Sequence, residues 1–356
     1  MDANSEIILS PVTVLGSNTE QMARELTLQE NALNVIPPNL GLFKILTANG
    51  WIKEARTRPI PKMLFGEFWH EGELGILFAD TNQGKSILAY QIADSISRGV
   101  PIKGFDFTSY RQKVIYLDYE LNSKQFQARY SMDYQDEYDF DDFFIRCEID
   151  SDSEIPPSFH DDIEEYSMYS LEETIKCTNV KVVIVDNITY LRQATETAKD
   201  ALPLMKKLKA LKNRYDLSIL AIAHTPKRDL TKPITRNDLA GSKMLINFCD
   251  SSFAIGESFK DSSFKYIKQI KQRATAELYG TDNVCVCQII KTNSFLHFEL
   301  IGFAAETEHL REASDKEKSF IVEQVKALNL AGKSLREIAE AVGVSHMTVK
   351  RYLKQS

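Results

Sequence analysis

The residues that most constrain the fold are Ala79-Asp80-Thr81-Asn82-Gln83-Gly84-Lys85-Ser86, preceded by the apolar run LGILF at 74–78 and followed by ILAYQIADSISRG. A strand, a glycine-containing loop, Lys-Ser and an amphipathic helix are together the context that a P-loop requires. Loop amides and the helix N-terminus would aim hydrogen-bond donors and partial positive charge at phosphates. In that arrangement Ala79 through Ser86 bind ATP. Lys85 neutralises the β- and γ-phosphates and the Ser86 hydroxyl sits on Mg²⁺. Ala79 replaces the first glycine of G-x-x-x-x-G-K-[ST], and a small residue still allows the turn. The alternative is a helix capped by Ser86 with no ligand.

The rest of the chain supports an α/β fold with a mostly parallel central sheet. Between Pro59 and Phe303, apolar runs alternate with helical patterns: KVIYLDY (113–119), KVVIVD (181–186) and LSILAIAH (217–224). Near-continuous apolarity suits strands buried on both faces. FKYIKQIKQ, VCVCQIIK and FLHFELIGF read as further strands with an antiparallel edge. Residues 1–58 are an N-terminal segment without strong periodicity, holding a short helix around Leu42 to Ala55. Residues 59–303 form the α/β domain that carries the P-loop pattern, 304–314 a polar linker and 315–356 a small all-α unit. Five cysteines, few and odd in number, read as buried thiols rather than zinc ligands or disulfides, with Cys285 and Cys287 on opposite faces of a strand. No run approaches a membrane span and the start carries no secretory or transit signal, so a cytoplasmic protein is expected.

The net charge of −7 conceals an asymmetry. From Asp133 to Glu173 there are sixteen Asp and Glu against the single Arg146, and the remainder of the chain nets +8. The acidic stretch 133–173 reads as an insert, a solvated loop and helix. A DNA-repelling wall or a docking site for a basic partner is the alternative.

Val182–Asp186 has the form of a Walker B strand, delivering a carboxylate at the C-terminal edge of a sheet where α/β folds place ligands. Asp186 would hold Mg²⁺ through water. Asn187 follows it, so the base that activates water must come from elsewhere. Glu120, at the end of KVIYLDYE, is the candidate if its strand neighbours that of Asp186. A helix-entry or surface carboxylate is the competing explanation.

This order of motifs resembles the RecA-like ATPases, and within them the DnaB/RepA branch of ring-forming replicative helicases, particularly the RepA type found on plasmids and mobile elements. PIPKMLFGEFWHEGELGILFADTNQGKS is similar to that branch's approach to the P-loop, and YLDYE matches its catalytic-glutamate strand. The similarity covers about residues 59–303. The resemblance implies a RecA-like P-loop core, Glu120 as catalytic base and His224 as the strand-end sensor of the γ-phosphate. It also implies Lys271 and Arg273, in IKQIKQRA, as basic residues that reach the neighbouring subunit's nucleotide. The ATP site would then be intermolecular, in a homo-oligomer such as a hexameric ring. The segment TPKRDLTKPITRNDLAGSK, with Lys227, Arg228, Lys232, Arg236 and Lys243, resembles the pore loop that grips single-stranded DNA. It lacks aromatics for stacking bases, and an ordinary solvated loop is the alternative.

The C-terminus carries a second signal. Ser314-Asp-Lys-Glu317 and Ser334-Leu-Arg-Glu337 are capping boxes, the first opening a helix with Phe320, Ile321, Val325 and Leu328 inward. Gly343-Val344-Ser345 then turns the chain into HMTVKRYLK, a helix-turn-helix pattern resembling resolvase-like readers. Residues 314–356 carry a charge of +3. Ser345, His346, Met347, Thr348, Lys350 and Arg351 would lie on or near the helix that faces the groove of duplex DNA. A three-helix protein-interaction module is the rival. Three functions compete: a helicase or translocase; an ATP-switched DNA-binding regulator, loader or transposition accessory factor; and a metabolic P-loop kinase, which leaves the C-terminal unit unexplained.

Overall fold

The computed structural model describes residues 19, 21–25, 39–150, 152–160, 162–191, 198–226, 228–239, 242–312 and 315–354. Contacts divide the chain into two units, Met1–Ile60 and Pro61–Ser356. In the first unit Asn39–Leu40 pairs antiparallel with Phe43–Lys44, turning at Gly41 with a φ of 59°. Helix α1 spans Ala48–Ala55, capped by Thr47, which accepts from the Gly50 amide; none of its residues is buried. The helix expected from Leu42 therefore starts at Ala48, because the hairpin uses the residues before it.

The second unit is built on nine strands: β1 Leu74–Ala79, β2 Val114–Asp118, β3 Phe144–Cys147, β4 Val182–Asp186, β5 Ser218–His224, β6 Ser251–Glu257, β7 Phe264–Lys271, β8 Val284–Thr292 and β9 Phe295–Ala304. Their order in the sheet is β9-β8-β7-β6-β1-β5-β4-β2-β3. The strands from β6 to β3 are parallel, and β7, β8 and β9 extend the sheet antiparallel. Helices α2 (Lys85–Arg98), α3 (Ser123–Arg129), α4 (Ile163–Thr178), α5 (Ala198–Tyr215) and α6 (Ser242–Phe248) connect them. The architecture is α/β with a mostly parallel central sheet.

Period-two alternation splits the apolar strand residues between two cores. Ile76, Val183, Val185, Ile219 and Ala221 face one layer with Met168, Leu171 and Ile175 of α4 and Leu204 and Leu208 of α5. Leu77, Ile184, Leu220 and Ile222 face the other, with Leu88, Ile92 and Ile96 of α2. Burying each such side chain contributes about 1.5–3 kcal/mol, so β1 is clamped on both sides and its C-terminal end is fixed. Cys285 and Cys287 share this second layer. The expectation of opposite faces is corrected, since strand residues two apart point the same way. Cys177 is exposed, against the expectation of a buried thiol.

The acidic stretch is more structured than a solvated loop. It contributes the edge strand β3, and Tyr138, Phe140 and Phe144 pack against the second core. Arg146 pairs with buried Asp118 at 3.0 Å. Helix α4 buries Met168, Leu171 and Ile175 while its acidic residues line the outer side.

Gly256 on β6 faces Tyr266 on β7. A Cβ at Gly256 would fall 2.1 Å from Tyr266 Cζ, and the wholly buried ring cannot swing away. We expect Gly256→Ala to cost about 1–3 kcal/mol through overpacking, read as a lower urea midpoint at constant m-value. An unchanged midpoint would show that the ring repacks freely.

After β9 the chain makes a 3₁₀ turn at Glu306–Glu308, in which Glu306 and then His309 are buried. Three helices follow: α7 Asp315–Leu330, α8 Leu335–Val342 and α9 His346–Lys354. Val325, Ile338 and Val349 form their core, with Ile321, Leu328 and Val344 against it. Ser334 and Glu337 make the expected reciprocal cap, and Gly343 ends α8 with a φ of 64°. Phe320, expected inward, is exposed. Ser314 lies outside the described residues. Among the described residues, no helix is long and apolar enough to cross a membrane.

Candidate functional site

Strand register brings the predicted groups to one edge. His224 pairs with Ala79 and Asp186 with Asp118, so the C-terminal ends of β1, β5, β4 and β2 lie side by side. A parallel sheet places ligands at this edge.

The loop from Ala79 to Ser86 joins β1 to α2. Asn82 and Gly84 take left-handed φ values of 62° and 88°, whereas Ala79 is not among the positive-φ residues. The backbone therefore does not demand glycine at Ala79, which accounts for the departure from the motif. At Gly84 it does: a Cβ there would also meet Ile289 Cδ1 at 2.8 Å and Phe298 Cζ at 2.9 Å. Thr81 and Asn82 are exposed, whereas Gln83 and Lys85 are buried. Lys85 Nζ donates to the carbonyls of Ala79 at 3.1 Å and Asp80 at 2.9 Å. Burial lowers its pKa, while Glu120, Asp186 and Asp80 favour its charge. Gln83 Oε1 is buried without a hydrogen-bond partner among the described residues.

Asp186 is buried and accepts from Tyr116 Oη at 2.6 Å. Burial raises its pKa to about 6, against the opposing hydrogen bonds of Tyr116 and Ser86. A carboxylate that faces the Ser86 hydroxyl and is destabilised by burial is a donor set suited to a hard divalent cation. These residues fit Mg²⁺. The Asp186–Asn187 peptide bond is cis.

Glu120 follows β2 and is about one-third exposed. Asp118 Oδ1 shapes its turn by accepting from the amides of Glu120 at 3.0 Å and Leu121 at 2.9 Å. Asn187 Nδ2 donates to Glu120 Oε1 at 2.5 Å and lies 3.1 Å from His224 Nε2. His224 Nε2 is also 3.4 Å from Glu120 Oε1. The Asn187 amide is oriented by Thr189, whose amide donates to Oδ1 at 2.8 Å and whose hydroxyl donates to the same atom. Hydrogen bonding with His224, then with Asn187, holds the Glu120 carboxyl below its ordinary range. It is therefore ionised at neutral pH, as a base must be. Asn187, which follows Asp186 and has no basic group of its own, is the residue that holds the Glu120 carboxylate. Asn187 carried no motif signal, because its partners Glu120 and His224 come from other strands.

Other predicted residues lie elsewhere. Lys271 Nζ donates to the carbonyls of Ile246 at 2.5 Å and Cys249 at 2.7 Å. Arg273 bonds Asp250 Oδ1 at 3.2 Å and the Asn247 carbonyl at 3.0 Å. Asp250 in turn bonds the backbone of Leu74. Arg273 is thus level with the start of β1, about 16 Å along the strand from the P-loop.

Of the proposed pore-loop cations, Lys227 lies outside the described residues, as does the side chain of Lys243. Lys232 and Arg236 are exposed. Arg228 is not: its side chain is 4% exposed and pairs with Asp80 at 3.3 Å. The expectation that it meets DNA is corrected, because a buried, paired guanidinium is not offered to phosphates outside. On α9, His346, Met347, Lys350 and Arg351 are exposed together with Ser345, and Thr348 is half-buried. Ser345 Oγ caps the helix by accepting from the Thr348 amide at 3.1 Å.

The fold and this edge define a P-loop ATPase with an α/β core. The chain belongs to the AAA domain family, whose model matches residues 42–229. Among solved structures it is similar to the KaiC-like protein PH0186 from the hyperthermophilic archaeon Pyrococcus horikoshii OT3, with 11% identity, 65% of this chain and 91% of that chain covered, and a TM-score of 0.43. No curated protein matches the sequence significantly.

Proposed function

We propose that the protein is an oligomeric, Mg²⁺-dependent ATPase acting on DNA, a RepA-like helicase or translocase of a plasmid or mobile element. Lys85 binds the β- and γ-phosphates, and Ser86 and Asp186 hold Mg²⁺, which supplies charge neutralisation on the phosphate oxygens. Glu120 takes a proton from the attacking water, Asn187 fixes the carboxylate that receives it, and His224 senses the γ-phosphate beside it. In this division, residues 59–303 form the motor, 304–314 the connection and 315–356 a helix-turn-helix reader of duplex DNA.

The observation that carries the oligomer is the place of Lys271 and Arg273 at the opposite end of the sheet from the P-loop, tied to Asp250 and α6. From there they cannot serve their own nucleotide; any catalytic role requires a neighbour's. We expect Arg273→Ala and Lys85→Ala, each inactive alone, to regain hydrolysis when mixed, because some interfaces then combine a sound P-loop with a sound finger. No recovery in any mixing ratio would remove the trans role.

Single-stranded DNA is assigned to Lys232, Arg236 and Lys243 and duplex DNA to α9. Support comes from the exposed cations Lys350 and Arg351 beside the capped start of α9. Strand displacement tests the motor: a forked duplex opened by the wild type and not by Lys85→Ala is expected. Rapid hydrolysis with the duplex left intact would favour an ATP-switched regulator or loader.

A further inference from the structure

One ion pair at the nucleotide site has no part in the mechanism above. Asp80, the second residue of the loop, is held twice by the segment that follows β5. Thr225 Oγ1 donates to its Oδ1, and Arg228 Nε donates to its Oδ2 at 3.3 Å. Arg228 Nη1 also donates to the Lys232 carbonyl at 3.2 Å, and the guanidinium borders Tyr266. Tyr266 Oη donates to Glu306 Oε1 at 3.1 Å. Glu306 is wholly buried, pairs with Lys268 at 2.5 Å and accepts from the Ile234 amide at 2.7 Å. The Arg311 amide donates to the Leu230 carbonyl at 3.1 Å. Residues 228–236 are thus fastened at one end to the P-loop and at the other to the turn from which the chain leaves for α7.

Lys85 makes this fastening sensitive to nucleotide. Its ammonium donates to the Asp80 carbonyl, and anionic phosphate oxygens compete for that ammonium with stronger bonds than a neutral carbonyl accepts. Binding therefore releases the main chain of Asp80 while Arg228 still holds its carboxylate. We infer that Arg228 is a positioning residue of the nucleotide site, and that the Asp80–Arg228 pair transmits nucleotide occupancy from the P-loop to residues 228–236 and to the turn at Glu306–Arg311. It acts through Asp80. The inference rests on the P-loop reading and is independent of DNA. It gives the P-loop and the base of the C-terminal helices a contiguous route of packed polar contacts, with nucleotide as the ligand that biases it.

The test is amide hydrogen exchange on the full chain, with and without a non-hydrolysable ATP analogue and Mg²⁺, alongside a binding titration of the same samples. In the wild type, saturating analogue should change exchange several-fold at the amides of Ile234 and Arg311. In Asp80→Asn and in Arg228→Gln the affinity should fall by about tenfold, and at saturation the response at both amides should disappear. The double variant should be no weaker than the weaker single, since coupled residues are non-additive. Arg228→Lys, which keeps the charge and loses the planar fork, guards against misfolding and should respond partially. A full response in the variants, additive losses of affinity, or bound analogue with no response in the wild type would each overturn the coupling. Failure of the wild type to bind the analogue would instead remove the P-loop reading itself, and the titration reads that separately.

Discussion

Glu120→Gln is expected to bind ATP within about threefold of the wild type and to hydrolyse it at least about a hundredfold more slowly, the usual contribution of a positioned general base. Glutamine preserves shape and still accepts from Asn187 Nδ2 through its amide oxygen, so the hydrogen bond to the Asn187 amide survives. What disappears is the capacity to take a proton. Single-turnover hydrolysis measured together with nucleotide affinity separates the two effects. A variant that turns over at the wild-type rate would exclude Glu120 from the chemistry. Asn187→Ala should fall between the two, because it leaves the base in place but frees it from the amide that aims it.

The second large effect is on stability. Glu306 and Lys268 form an ion pair whose side chains are 0% and 5% exposed. Removing one partner leaves an uncompensated buried charge, which costs about 3–5 kcal/mol. Glu306→Ala should lower stability by that amount, and it also strips the Ile234 amide and the Tyr266 hydroxyl of their acceptor. Pairing Glu306→Gln with Lys268→Met should recover much of the loss, since the acceptor returns and the stranded ammonium is gone. Denaturant unfolding of the three proteins decides it: a double variant as unstable as Glu306→Ala would mean that the orphaned charge is not the cause.

What could be read from the sequence follows from physics that is local. Val182–Asp186 and Leu217–His224 are near-continuous apolar runs, so their identity as central strands needs no knowledge of neighbours. The loop around Lys85 is equally self-contained, because strand, loop and helix are consecutive. Phe144–Cys147 is not legible, because a four-residue strand within an acidic stretch gives no periodicity, and its burial comes from aromatics elsewhere in the chain. Asn187 gives no local signal, because its partner Glu120 comes from a neighbouring strand and lies 67 residues away. Arg228 is hidden for a similar reason. A cation in a polar segment reads as solvated, and the carboxylate that buries it lies 148 residues earlier.

A site that hydrolyses ATP in the service of DNA couples its turnover to DNA, and that coupling is measurable. Steady-state hydrolysis by the full chain, alone and with single-stranded or duplex DNA, against Lys85→Ala, tests it most directly. Hydrolysis that single strands stimulate strongly and that Lys85→Ala abolishes is the expected result. Hydrolysis indifferent to DNA would contradict the motor, and a rate no higher than that of Lys85→Ala under every condition would contradict the ATPase site itself.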